Sequence, residues 1–289
     1  MKNRYSVLFL GMLVFAVIGQ ACNRETESIA ISSDGVQISY NQQGKGKPAL
    51  VFVHGWTNMK SIWDDQMAHF SQKYKVVAID LAGSGKSGNN RNEWTMQAFG
   101  NDVASVVKRL KLNEVILIGF SMGAPVVIEA EKLLAERVKG LILVDGLNDP
   151  DIQFPPEMIS VMDSVMMDLV TNMTNEKLIA LGFYKINPDS TFKRLSRMYE
   201  GLSHIGWHES FLGYFKWMNE DQVESLKMMK VPVAAINSEL EPTNVKAFIK
   251  YIPGFQVKIM TGVGHLLFWD NPQEFNRLLE ESIQEFLKK

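Results

Sequence analysis

The 289 residues carry 30 Lys and Arg against 32 Asp and Glu, and the formal net charge of -2 with a pI near 6.2 excludes an electrostatic hold on nucleic acid, which needs a basic stripe able to displace counterions. Hydrophobic residues make up 46% and charged residues 21%, as expected for one globular domain, with an insertion, large enough to bury a sizeable core. Cys22 is the only cysteine, so no intrachain disulfide can form.

In chain order, the first feature is Lys2 and Arg4 ahead of an apolar run over 7–18. That run is short of the ~20 residues a bilayer span requires and suits the hydrophobic stretch of an export signal, so residues 1–21 read as a signal peptide. Ile18-Gly19-Gln20-Ala21-Cys22 resembles a bacterial lipoprotein cleavage site, although a large aliphatic residue is usual where Gly19 stands. The resemblance implies lipidation of Cys22, a polar tether over 22–28 and a cell-envelope location on a membrane; plain secretion is the alternative.

Short β-branched and apolar runs then alternate with helical patterns. Strands are expected over 29–33, 36–40, 49–53, 76–79, 115–118, 141–144, 233–236 and 257–260, and several are apolar throughout, as strands covered on both faces are. Helices are expected over 62–73, 94–110, 122–134, 244–251 and 272–287, the last opening with Asn271-Pro272, a cap followed by proline at the first helical position. This alternation predicts an α/β fold with a mostly parallel sheet, helices on both faces and an antiparallel edge hairpin. Between 148 and 230 no strand is expected, and Met, Phe, Tyr and Trp recur at helical spacing. We read 148–230 as a helical cap inserted into a core formed by 29–147 and 231–289. Met158, Met162, Met166 and Met173 suit either the cap's own core, the commoner use of such a stripe, or a malleable wall for an apolar substrate.

A serine hydroxyl becomes a nucleophile only when a base removes its proton and when it projects clear of its neighbours. Gly119-Phe120-Ser121-Met122-Gly123 meets the second need, because it stands where a buried strand must turn sharply into a helix. The helix start also offers the Met122 N–H to a developing oxyanion. A second donor is expected from the loop after an earlier strand, where His54-Gly55-Trp56 stands; the Trp56 N–H fits that role and His54 fits a brace for the loop.

His54-Gly55-Trp56, the stretch Asp80 to Gly88, Gly119 to Gly123 and Gly262-Val263-Gly264-His265 together resemble the α/β-hydrolase superfamily from about residue 29 to the C-terminus. Within it the chain is similar to small capped carboxylesterases and cofactor-free haloperoxidases. The resemblance implies an eight-stranded sheet, a Ser-acid-His triad with His265 as base, and no cofactor or metal. It also argues against epoxide hydrolase or dehalogenase chemistry, which uses an aspartate nucleophile. The family's acid commonly follows the strand over 233–236, where Ser238-Glu239-Leu240-Glu241-Pro242 stands, so Glu241 or, with a shorter turn, Glu239 is a candidate. Asp145, at the end of the strand over 141–144, is an equal candidate with Glu241.

The implied function is hydrolysis of a small-molecule ester through an acyl-enzyme. Alternatives are a haloperoxidase or perhydrolase, separable by peroxide dependence, and a non-catalytic binding protein keeping the fold; oligomeric state stays open. Two decoys are set aside. Gly83-Ser84-Gly85-Lys86-Ser87 looks like a phosphate loop, but Asp80 replaces the required glycine and no helix begins at Lys86. His204 and His208 with Glu200 hint at a metal stripe, but Gly201 and Gly206 interrupt it.

Overall fold

The computed structural model describes residues 28–199 and 206–288. The expected signal peptide over 1–21, Cys22, the expected tether up to residue 27, Glu200 and His204 lie outside the described residues. Among the described residues no helix is long and apolar enough to cross a membrane.

The chain runs β1 (Ser28–Ile31), β2 (Gln37–Gln43), β3 (Ala49–Val53), α1 (Asp64–Phe70), β4 (Lys75–Ile79), α2 (Met96–Arg109), β5 (Val115–Phe120), α3 (Gly123–Leu134) and β6 (Val138–Val144). Among the described residues, five helices follow without a strand: α4 (Pro156–Thr171), α5 (Asn175–Ala180), α6 (Pro188–Tyr199), α7 (Trp207–Glu220) and α8 (Gln222–Met228). The core resumes with β7 (Val233–Ser238), α9 (Val245–Tyr251), β8 (Gln256–Met260), α10 (Leu267–Asp270) and α11 (Pro272–Leu287). The sheet has eight strands in the order β1-β2-β4-β3-β5-β6-β7-β8. Pairing is antiparallel at β1-β2 and β2-β4 and parallel everywhere else. The chain therefore has the α/β-hydrolase architecture.

Because alternate strand residues point to opposite faces, each apolar strand feeds two cores. From β3, Val51 and Val53 pack with Phe99 of α2, Val127 of α3 and Phe248 of α9. Leu50 and Phe52 pack on the other face with Met67 of α1 and Leu279 of α11. The helical insert is tied down by a buried carboxylate: Glu129 of α3 accepts from Trp217 Nε1 of α7 at 2.7 Å and from Ser225 Oγ of α8 at 3.1 Å.

Two expectations need correction. The helix expected over 62–73 is α1, preceded by one 3-10 turn at Lys60–Trp63. Its start is displaced because Trp63 is buried against Phe52 and Phe268. The first strand stops at Ile31, since Ser32 N–H bonds to Val36 O at 2.9 Å and closes a turn. The methionine stripe serves both of the uses expected of it, since Met166 and Met173 pack against the buried cluster that contains Leu169, Leu178 and Leu195. Met158 is exposed, Met162 and Met166 line one cavity, and Met173 joins Met166 in lining another.

Candidate active site

β5 and α3 meet at Ser121, which adopts φ 52°, a left-handed conformation that ordinary residues avoid. The turn is held by Ser121 N–H to Val144 O and Ala124 N–H to Ser121 O, both at 2.9 Å. Strand and helix approach so closely that a Cβ on Gly119 would lie 2.2 Å from Gly123 O, and one on Gly123 would lie 2.8 Å from the carbonyls of Val53 and His54. Gly119→Ala is accordingly expected to destabilise the protein by about 3 kcal/mol or more, read as a fall in urea midpoint. The Ser121 hydroxyl has no protein partner among the described residues, and Ser121 and His265 line the same two cavities.

His265 lies between β8 and α10. The loop is anchored to the insert, with His265 N–H bonded to Gly182 O at 2.8 Å and Leu266 N–H to Phe183 O at 2.7 Å. The imidazole sits 4.7 Å from the Phe120 ring and 5.8 Å from the Phe183 ring. Its Nδ1 is 2.7 Å from Asp145 Oδ2. An ionised carboxylate can only accept, so Nδ1 carries the proton and Nε2 is left as the basic nitrogen.

Of the three carboxylates, Asp145 is the one brought to His265. It stands just past β6 at φ 45°, where its N–H bonds Ile236 O at 3.1 Å and Asn237 Oδ1 at 3.2 Å. Its Oδ1 accepts from Ser238 N–H at 2.7 Å and Ser238 Oγ at 3.0 Å. Glu241 instead accepts from Asn148 Nδ2 at 2.9 Å. Glu239 accepts from Gly262 N–H at 2.9 Å and pairs with Lys185 at 3.4 Å, and these donors hold its carboxyl below the usual range. The end of β7 thus supplies donors for the Asp145 carboxylate, where the family's motif had suggested an acid. Ser238 and Asn237 are the residues that sequence reasoning missed, and nothing local marks them as partners of Asp145.

Neither the Trp56 nor the Met122 backbone N–H has a protein acceptor among the described residues. Trp56 lines a cavity with Ser121, and Met122 directly precedes α3. The loop carrying Trp56 is clamped to the insert: Trp56 Nε1 donates to Trp207 O at 2.8 Å, and Thr57, at φ 57°, bonds Tyr199 OH at 2.7 Å.

His54 is a brace. Leu81 N–H donates to its Nε2 at 3.0 Å, so its Nδ1 donates to Gly55 O at 2.7 Å. Burial, opposed by the nearby Asp80, pushes the imidazole below its ordinary value. A depressed histidine stays neutral when folded and binds a proton when unfolded, so its stability contribution is intact above the unfolded value of about 6.5 and is lost as pH falls from there toward the lower folded value. Unfolding free energies from denaturant titrations between pH 7.5 and 5 are expected to drop by up to about 1.4 kcal/mol per pH unit from this group, and less in His54→Asn.

The phosphate-loop lookalike wraps a carboxylate. Asp80 accepts from Lys60 N–H at 2.7 Å and Lys86 N–H at 3.0 Å, and forms a buried ion pair with Lys60 Nζ. A Cβ on Gly85 would lie 2.3 Å from that carboxylate. His208 bonds Asp163 at 3.0 Å. Among the described residues, no group of three or more His, Cys, Asp or Glu is placed to hold a metal ion.

A Ser121 elbow, a carboxylate-bound imidazole and two free N–H groups on an eight-stranded sheet define a hydrolase-type site. The α/β hydrolase family model matches residues 50–278, and the chain belongs to that family. It is 27% identical over 281 residues to a non-heme chloroperoxidase of Burkholderia pyrrocinia, covering 88% of this chain and 98% of that one. A bifunctional esterase/perhydrolase of Acinetobacter calcoaceticus is 26% identical over 227 residues, 72% of this chain and 80% of its own. Among solved structures, an esterase from Exiguobacterium antarcticum shares the fold with a TM-score of 0.77 at 21% identity, covering 89% of this chain and 99% of that one.

Proposed function

We propose that the protein is a serine hydrolase that cleaves a carboxylic ester, or a related acyl bond, of a small to medium and mainly apolar substrate through an acyl-enzyme on Ser121. The observation that carries this reading is the 2.7 Å contact of Asp145 with His265 Nδ1 beside a cavity that both Ser121 and His265 line. His265 Nε2 takes the Ser121 proton as Oγ attacks the carbonyl. The N–H groups of Trp56 and Met122 hold the oxyanion, and His265 returns the proton to the leaving alcohol. Water then attacks the acyl-enzyme by the same route and frees Ser121. The insert over 148–230 serves as the cap, its apolar side chains Leu169, Met173 and Leu178 walling the cavity.

The test is incubation with a fluorophosphonate followed by peptide mass spectrometry. An adduct on the peptide containing Ser121 is expected, and an unmodified Ser121 under conditions that label a control serine esterase would overturn the reading.

Similarity to a non-heme chloroperoxidase and to an esterase/perhydrolase favours one second reading, perhydrolysis, in which hydrogen peroxide replaces water at the acyl-enzyme and a peracid leaves. Peracid formation that requires both an ester or acid and peroxide would establish it.

We further propose that the chain is exported and anchored by a lipid on Cys22. Metabolic labelling with a fatty-acid analogue, lost in Cys22→Ala, is the expected result, and an unlabelled secreted product would mean plain secretion.

A further inference from the structure

Two cavities meet at Ser121 and His265, and their chemistry differs. The smaller, of about 70 Å³, is walled mainly by apolar side chains and has room for a short acyl chain, equivalent to roughly five waters. The larger, of about 500 Å³, is more open and has no Lys or Arg in its lining. Its walls carry the rings of Phe183, Phe211, Tyr214 and Phe215, and one carboxylate beyond the Asp145 already bound to His265, namely Glu241.

Glu241 has no cationic partner among the described residues. It is nevertheless held in place by a run of amides. Asn148 Nδ2 donates to Glu241 at 2.9 Å, Asn237 Nδ2 donates to Asn148 Oδ1 at 3.0 Å, and Asn237 Oδ1 accepts from Asp145 N–H at 3.2 Å. Phe211, Tyr214 and Phe215 form a connected edge-to-face set, with Phe211 and Phe215 centroids 5.0 Å apart and Tyr214 and Phe215 5.3 Å apart. Burial and the charge of Glu241 both push the Tyr214 hydroxyl upward, so the carboxylate's field reaches the aromatic wall. An exposed carboxylate, hydrogen-bonded by Asn148 and facing aromatic rings across an open cavity lined by no Lys or Arg among the described residues, favours a compact alkylammonium group, which gains from the carboxylate and from the rings together.

We propose that the larger cavity binds an ammonium group on the alcohol half of the ester, between Glu241 and these rings, making short-chain esters of amino alcohols the preferred substrates. The alcohol half is assigned there because it must leave, and water must enter, while the acyl group stays attached in the smaller cavity. The proposal rests on the acyl-enzyme reading and confines the mainly apolar requirement to the acyl half.

The test compares kcat/KM for two acetate esters, of choline and of 3,3-dimethylbutanol, whose trimethylammonium and tert-butyl groups are nearly isosteric. The unmodified protein is expected to favour the choline ester about tenfold, and the preference is expected to fall to about one- to twofold in Glu241→Gln. Tetramethylammonium is expected to compete with the neutral ester, less strongly in Glu241→Gln. No preference in the unmodified protein, or one that survives Glu241→Gln, would overturn the subsite. An equal, orders-of-magnitude loss on both esters in Glu241→Gln would overturn it too, by making Glu241 a group the chemistry itself needs. Failure of the acyl-enzyme reading shows separately, as turnover of both esters that persists in Ser121→Ala.

Discussion

Ser121→Ala is expected to abolish fluorophosphonate labelling and to lower kcat for a short-chain p-nitrophenyl ester by about 10⁵- to 10⁶-fold, leaving only what the oxyanion donors and binding supply. The fold should tolerate the change. The Ser121 hydroxyl makes no protein hydrogen bond among the described residues, and alanine meets the same strain as serine at φ 52°. A thermal midpoint within a few degrees of the unmodified protein, with labelling and turnover both gone, is the expected pair of results. Turnover that falls less than about 100-fold would mean that some group other than Ser121 attacks the carbonyl.

The second large effect is at Asp145. Asp145→Asn is expected to lower kcat by about 10⁴-fold, because it changes which nitrogen of His265 carries the proton. Asparagine can keep its Oδ1 as acceptor for the Ser238 N–H, now 2.7 Å from Asp145 Oδ1. Its amide would then point toward His265 Nδ1, which must give up its proton to accept. The proton moves to Nε2, the atom that has to receive a proton from Ser121. Geometry is kept and basicity is lost at the place where it is used. Glu239→Gln, at a side chain that bonds Gly262 and Lys185, is expected to leave kcat within about twofold. Steady-state kinetics on the two variants side by side decide the identity of the acid, since a neutral Asp145 that still turns over normally would exclude it.

Much of this site was legible before any coordinates. The elbow is local chemistry: an apolar β-branched run, then glycines two residues either side of a serine, then a helix whose first turn tolerates Pro125. The backbone conflict at Gly119 and Gly123 shows why those two positions admit no side chain. His54 as a brace was legible for a similar reason, since it sits inside the loop it holds. The terminal helix announced itself through Asn271 and Pro272, and Asn271 does accept from Glu274 N–H at 3.2 Å.

What the sequence by itself determined, then, was the order of strands and helices, the nucleophile's turn and the histidine loop that the family resemblance assigned. All of these depend on residues close together in the chain, where periodicity and turn chemistry act directly. Only the tertiary structure chose Asp145 over Glu241 as the partner of His265, because that contact joins residues 120 apart and depends on a positive φ after β6 and on donors at the end of β7. It also decided that Met162, Met166 and Met173 reach the cavities and that the Gly83 to Ser87 loop encloses a carboxylate. For both carboxylates the outcome turned on which distant donors surround a buried group, and spacing along the chain carries no record of that.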